Sequence, residues 1–251
     1  MGQGKELLFA FHDFENGVEI FEPISKGLSQ KYTIIAIDLP GFGQSVWNDK
    51  VINKEALVTI IERFKLEFKV ETFDILAQGL GSLFALTLIE QRGEWIGKML
   101  LFDPEGMRRA SWQRIATKHF LTKGKIKKAA EFPEKREKII HQLAGWGIIK
   151  RDWIPEMEPY LSSFNIRKKW DIIFPLLHQL VPEIQRVRYL VHKNKIHLQL
   201  YVSDHKLTLK KDSFKFAKKQ TTVFLDFTTE EERSEYNWWV NTVLDFFKQE
   251  S

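Results

Sequence analysis

Histidine and cysteine are the residues whose spacing most directly indicates metal or catalytic chemistry, and they limit what this chain can do. None of its seven histidines forms an H-x-x-x-H or H-E-x-x-H set, so we predict no metal site. The chain contains no cysteine, which excludes thiol nucleophiles, cysteine-ligated metals and disulfides, and fits a reducing compartment. We therefore expect no metal and no other cofactor.

Short apolar runs that alternate with helical segments predict the elements that would position any site. The runs cover residues 6–11, 33–39, 72–77, 98–103, 196–202 and 222–227. Continuous apolar runs are typical of parallel strands that are covered on both faces. The stretches between them, such as 53–68, place apolar side chains on one helical stripe. This order predicts an α/β fold with a doubly wound, mostly parallel sheet.

Residues 106–195 interrupt this alternation, because they are helical in composition and contain no strand run. We predict a core domain of residues 1–105 and 196–251 with a helical insertion at 106–195. The insertion carries 20 Lys and Arg against 8 Asp and Glu, whereas the rest of the chain carries 18 against 25. These basic helices are either a solvated surface or a surface that attracts an anionic ligand, an acidic protein partner or a membrane. Nucleic acid is not the expected partner, since no recognition motif accompanies the charge.

The first residues of the sequence predict a cytoplasmic location, and the last residues predict a helix. The apolar run near the start, Leu7–Phe11, is too short for a signal peptide or a transmembrane segment, and none is predicted elsewhere. A capping box at Thr229–Glu232 predicts the start of a last helix. An apolar stripe at helical spacing predicts that this helix packs on the core through Tyr236, Trp239, Val240, Val243 and Phe247.

Several motifs, in chain order, resemble those of the α/β-hydrolase superfamily. A strand, a glycine turn and a helix are predicted over residues 74–88, DILAQGLGSLFALTL, which is the setting of that family's nucleophile elbow. Residues 38–45, DLPGFGQS, resemble its D-x-P-G-x-G-x-S loop, and residues 11–14, FHDF, resemble its His-Gly turn. Residues 98–104 and 201–207, KMLLFDP and YVSDHKL, resemble its later strands. The resemblance covers residues 5–248 and implies a cap-containing fold that lacks the first two strands.

The resemblance also implies a catalytic triad, and this chain departs from it. The family's elbow is G-x-S-x-G, whereas residues 77–81 are AQGLG, which puts Gly79 at the nucleophile position. Asp204 matches the acid, but no histidine follows His205, and the segment after the last strand offers only Asp226. Gly79 would also relieve the backbone strain of an elbow. We therefore predict a non-catalytic binding or interaction protein.

The alternative prediction is an esterase-like acyl hydrolase with a rearranged site. Ser82 would serve as nucleophile with His12 or His205 as base, and Asp103 would be a replacement acid. Each of these residues also has a structural interpretation. Ser82 would lie in a helix, His12 would be a buried imidazole, His205 would point away, and Asp103 would cap a helix.

Even without a triad, the resemblance implies that an oxyanion hole remains. Its backbone N–H donors map to Leu80 and Phe14, and the missing side chain of Gly79 leaves room beside them. A small molecule or anionic ligand, such as a carboxylate, a phosphate or a carbonyl, could dock there beneath the insertion. The other possibilities are that these groups hold water, or that they hold a substrate for chemistry without a nucleophile.

Overall fold

The computed structural model describes residues 1–14, 16–45, 53–107, 120–163, 169, 179–235 and 237–249. Six parallel strands form one sheet in the order β2-β1-β3-β4-β5-β6. The strands are β1 (Glu6–Phe11), β2 (Tyr32–Ile37), β3 (Phe73–Gln78), β4 (Ile96–Phe102), β5 (His197–Ser203) and β6 (Val223–Thr228). Each lies within about two residues of its predicted apolar run, so the doubly wound α/β fold is confirmed.

Helices cover both faces of the sheet. The described helices are α1 (Glu22–Leu28), α2 (Lys54–Glu67), α3 (Gly81–Arg92), α4 (Phe120–Glu131), α5 (Pro133–Gly145), α6 (Ile154–Ser162), α7 (Ile184–Lys193), α8 (Leu207–Ala217), α9 (Glu230–Ser234) and α10 (Trp238–Lys248). Among these residues, no helix has the length and apolar character needed to cross a bilayer.

Alternate residues of the central strands supply two apolar cores, one on each face. On one face, Leu8 and Ala10 pack with residues of α1 and α10, among them Ile24 and Phe247. On the other face, strand residues pack with α2, α3 and α7. Continuous apolar runs are therefore needed in the sequence, because both sides of each central strand are buried.

Helices α4, α5 and α6 lie between β4 and β5, within the predicted insertion. Their buried residues, such as Ile126, Leu143 and Met157, belong to the same apolar cluster as the strands and α3. These helices therefore pack on the sheet domain. The predicted boundaries and total charge of the insertion include residues 108–119, 164–168 and 170–178, and with them His119 and His178, which lie outside the described residues.

The prediction of one continuous last helix is wrong. Thr229 and Glu232 form both hydrogen bonds of the predicted capping box, but the helix that they cap, α9, ends at Ser234. A second helix, α10, follows Asn237, which has a left-handed backbone with φ +65°. The apolar stripe from Trp239 to Phe247 belongs to α10, and Tyr236 lies outside the described residues.

Candidate ligand site at the strand-to-helix turn

Gly79 occupies the sharp turn between β3 and α3. Its φ of +44° lies in the left-handed region, where a residue with a side chain is strained. Its N–H donates to the Phe102 carbonyl at 2.9 Å, and its own carbonyl accepts from the N–H groups of Ser82 and Glu105, each at 3.1 Å. The backbone around Gly79 is therefore held on both sides by β4 and by the first turn of α3.

The carboxylate of Asp13 is bound by two backbone N–H groups beside this turn. The N–H of Leu80 donates to Asp13 Oδ1 at 2.8 Å, and the N–H of Phe14 donates to the same oxygen at 2.8 Å. These are the two groups that the family resemblance assigns to an oxyanion hole. We call them the N–H pair. In this structure the N–H pair converges on one point in space, and a carboxylate oxygen of the chain itself occupies that point.

The same carboxylate also fills the space into which a side chain at position 79 would project. A Cβ built on Gly79 would lie only 2.2–2.3 Å from Asp13 Cγ, Oδ1 and Oδ2. Contacts this short do not occur between non-bonded atoms, so Asp13 and a side chain at position 79 exclude each other in this arrangement. Glycine at position 79 is thus favoured by its backbone conformation and by the present position of Asp13.

His12 holds the Asp13 turn in place. It is fully buried, its Nδ1 lies 2.6 Å from the Asp13 carbonyl, and its Nε2 accepts from the Leu39 N–H at 3.0 Å. Because Nε2 is an acceptor, the ring is neutral with its proton on Nδ1. Burial lowers the pKa of His12, against the opposing effects of Asp13 and Asp38. His12 therefore positions Asp13 and has no free nitrogen for proton transfer.

Residues 38–45 form the loop that supplies the hydrogen bond to His12. Asp38 accepts from the backbone N–H of Gln44 at 2.9 Å, and its carbonyl accepts from the Ser45 hydroxyl at 2.6 Å. Phe42 is buried with its ring against the His12 imidazole, at a centroid distance of 5.6 Å. The motif at 38–45 thus supports the site through its contacts with His12.

Burial raises the pKa of the Asp13 carboxyl above its ordinary value. Its hydrogen bonds from the N–H pair and the positive charge of Lys206 act in the opposite direction, and Asp103 adds to the rise. No hydrogen bond to Oδ2 is found within the described parts of the chain. Asp13 is therefore a partly buried acid that the site holds through a single oxygen.

Asp103, at the end of β4, lies in a cluster of charged and hydroxyl groups. Its Oδ1 accepts from the Ser203 N–H and its Oδ2 from the Ser203 hydroxyl, both at 2.7 Å. Arg233 donates to Oδ2 at 2.7 Å, and Lys206 Nζ lies 3.3 Å from the same oxygen. Burial acts to raise the pKa of Asp103, but Lys206, Arg233 and Ser203 outweigh it and hold the pKa below its ordinary value.

The side chains of the predicted rearranged triad do not come together. Ser82 is fully buried, and within the described residues its hydroxyl has no hydrogen-bond partner. His205 is exposed, and its Nδ1 lies 3.7 Å from Glu230 on α9. Since His12 uses both ring nitrogens elsewhere, neither candidate base contacts the Ser82 hydroxyl.

Within the described residues, no hydrogen bond or ion pair joins the remaining predicted acids to a histidine. Asp204 is half-buried after β5, where its N–H donates to the Thr228 carbonyl at 3.0 Å. Asp226 lies on β6 and accepts from the Gln199 amide at 2.6 Å. In the part of the chain that is described, no group of three His, Asp or Glu side chains could hold a metal ion.

Three residues of the site were missed by sequence reasoning: Asp13, Lys206 and Arg233. Asp13 was detectable in principle, because it stands where the family's His-Gly turn has glycine. Arg233 follows the last strand, in the region where the family has its histidine, and it pairs with Asp103. The capping box that it follows indicates a helix start and gives no signal of a pairing with Asp103.

Tyr160, a residue of the insertion, contacts the site. The ring of Tyr160, on α6, lies 4.9 Å from the ring of Phe14, and its hydroxyl donates to the carboxylate of Glu105. Tyr160 is buried by these contacts. The insertion therefore contacts the site at Phe14, which carries one donor of the N–H pair.

Known structures resemble this chain in fold. No family model and no curated protein matches its sequence. MGS-M2, an α/β-hydrolase enzyme from a Medee basin deep-sea metagenome library, aligns with a TM-score of 0.66 and 13% identity over 98% of this chain and 90% of its own. MenH from S. aureus aligns with a TM-score of 0.64 and 13% identity over 98% of this chain and 94% of its own. A carboxylesterase of Nitrososphaera gargenis aligns with a TM-score of 0.64 and 12% identity over 99% of this chain and 93% of its own.

At these sequence identities, structural similarity shows a common fold and does not show a common activity. The strand order, the glycine turn between β3 and α3, and the helices between β4 and β5 agree with that likeness. This chain has the α/β-hydrolase fold.

Proposed function

We propose that this protein is a binding protein of the α/β-hydrolase fold that performs no serine-based hydrolysis. One observation carries the proposal: the Asp13 carboxylate accepts from both donors of the N–H pair and fills the space of a side chain at position 79. A substrate carbonyl needs those donors, and a nucleophile needs that space. Both are taken by one side chain.

The charged groups around Asp13 support a binding role in preference to an acyl hydrolase. A serine nucleophile needs an adjacent base, and both nitrogens of His12 are engaged with backbone groups. Arg233 carries a permanent charge and cannot accept a proton in the region where the family has histidine. We propose that the ligand is a small or anionic molecule held beneath α6, and that the basic insertion recognises an acidic protein partner.

A cytoplasmic location is part of the same proposal and rests on the absence of cysteine. Asp204 and Asp103 are then structural acids. Phe14, Gly79 and Leu80 are the proposed ligand contacts, because they form the wall that now surrounds the Asp13 carboxylate.

A fluorophosphonate probe tests the absence of serine chemistry. We expect no covalent labelling of the wild-type protein under conditions in which an active serine esterase is labelled stoichiometrically. Hydrolysis of p-nitrophenyl acetate should not exceed that of the Ser82→Ala variant. Stoichiometric labelling that is lost in Ser82→Ala would overturn the proposal in favour of the rearranged hydrolase.

A further inference from the structure

The carboxylate of Asp13 is bound in the way that an external ligand would be. Its donors come from two separate parts of the chain, since Phe14 follows β1 whereas Leu80 precedes α3. Both N–H groups point at one oxygen at 2.8 Å, a length typical of hydrogen bonds to charged acceptors. The site is therefore complementary to a carboxylate oxygen, and the chain supplies that carboxylate from a loop.

We propose that Asp13 is an autoinhibitory occupant of this site, and that a small free carboxylate takes its place on the N–H pair when Asp13 withdraws. The inference rests on the proposed binding function and names its ligand class. Because Asp13 is tethered, it competes at a high effective concentration, and an external carboxylate must overcome that competition. The space beside Gly79 is then free for the rest of the ligand.

The charges around Asp13 make its protonation the step that opens the site. The charged side chains that act on Asp13 are Lys206 and Asp103, and Arg233 pairs with Asp103 beside Lys206. The nearby titratable groups are His12, which is neutral, and Glu105, whose carboxylate accepts from Tyr160. With Asp13 ionised, the carboxylates of Asp13 and Asp103 balance the charges of Lys206 and Arg233. With Asp13 protonated, these four side chains carry a net charge of +1, which favours a bound anion, and Asp13 is also a weaker acceptor for the N–H pair.

Of the two aspartates in this group, Asp13 is the one that we expect to take up a proton first as pH falls. Burial raises its pKa, whereas Lys206 and Arg233 hold the pKa of Asp103 low in spite of burial. His12 stays neutral because burial lowers its pKa. One proton is therefore taken up by Asp13 for each carboxylate bound, so that ligand affinity increases as pH falls.

Trifluoroacetate is a suitable probe, because it stays ionised over the whole pH range of the experiment and is observed directly by ¹⁹F NMR. We expect Asp13→Gly to bind it at least tenfold more tightly than the wild type at pH 7. Above the pKa of Asp13, the wild-type Kd should increase tenfold for each pH unit. The Asp13→Gly variant should lack this slope.

Asp13→Asn provides the second arm, since it keeps the size of the side chain and an acceptor oxygen for the N–H pair. Because its neutral amide mimics the protonated carboxyl, we expect it to bind trifluoroacetate at every pH about as tightly as the wild type does at low pH, without the wild-type slope and more weakly than Asp13→Gly. The Asp152→Asn variant loses the same charge at an exposed position of the insertion and should behave like the wild type. In Asp13→Gly, the backbone amide resonances of Phe14 and Leu80 should shift on binding.

Equal affinity of Asp13→Gly and wild type would overturn the inference, and so would a wild-type slope that persists in Asp13→Asn. Either result leaves the absence of serine chemistry untouched. Fluorophosphonate labelling would overturn the proposed function instead, whatever trifluoroacetate does. The two failures are therefore distinguishable.

Discussion

Two aspartates at opposite ends of the sheet, the buried Asp74 and the partly buried Asp13, differ in how their oxygens are used. Asp74 lies near the amino end of β3, where its Oδ2 accepts from the Tyr32 hydroxyl at 2.6 Å and its Oδ1 from the Lys98 N–H at 2.7 Å. Asp13 lies at the carboxyl end, where one oxygen accepts both hydrogen bonds. Burial raises the pKa of both carboxyls.

The difference separates a structural acid from a site acid. Asp74 links β2, β3 and β4 through both oxygens, beside Lys98, whose ammonium donates to the Gln249 carbonyl at the end of the chain. Asp13 links only the two loops of the N–H pair and stands in the space of a missing side chain. A raised pKa alone does not distinguish the two roles, whereas the hydrogen-bond pattern does.

The largest expected effect on stability follows from removal of the Asp74 carboxylate. Asp74→Ala leaves the buried Lys98 N–H and the Tyr32 hydroxyl without acceptors, so we expect the free energy of unfolding to fall by about 3 kcal/mol. Asp74→Asn should cost clearly less, because its amide can accept from Lys98 and donate to the Tyr32 oxygen. Urea denaturation of both variants measures the difference, and equal losses would show that the hydrogen bonds do not carry the effect.

A smaller loss of stability, which depends on the presence of Asp13, is expected when Gly79 is replaced. Gly79→Ser introduces left-handed strain and a contact with Asp13, so we expect a loss of about 2 kcal/mol. In the Asp13→Gly background only the strain remains, about 1 kcal/mol. A double-mutant cycle from urea denaturation measures the coupling. Additive losses would contradict the mutual exclusion of Asp13 and a side chain at position 79.

The smallest expected effect, of opposite sign, is that of Asp13→Asn. Because the pKa of Asp13 is raised in the folded protein, the folded state holds its proton more tightly, and stability is lost as pH rises through that pKa. Asn cannot ionise, so the variant should unfold at a higher temperature than the wild type at pH 7. The difference should shrink towards pH 4. A wild type that is more stable than Asp13→Asn at pH 7 would contradict the dominance of burial.

The fold could be predicted from the sequence because the patterns that indicate strands and helices are local. Six apolar runs, each flanked by turn residues, predicted six strands to within about two residues. The last helix was the exception. The capping box at Thr229 was correct, but the break before α10 depends on the left-handed backbone of Asn237, which the apolar period does not indicate.

The candidate site was predictable only in part, because its contacts are non-local. The glycine turn and the Leu80 N–H followed from the motif around Gly79, and the Phe14 N–H followed from the resemblance of residues 11–14 to the His-Gly turn. Their occupant did not, since the bond between Leu80 and Asp13 joins residues 67 positions apart. The pairing of Asp103 with Arg233 joins residues 130 positions apart. No spacing rule connects such pairs.

The sequence by itself determined the order of strands and helices, the absence of cysteine chemistry and the glycine at the turn, since each follows from residue type and local period. Only the tertiary structure decided what fills the turn. Side-chain volume and hydrogen-bond direction act in three dimensions, and they bring Asp13 from the loop after β1 into the space that Gly79 leaves open. The lack of a side chain at position 79 is therefore matched by a carboxylate from another part of the chain.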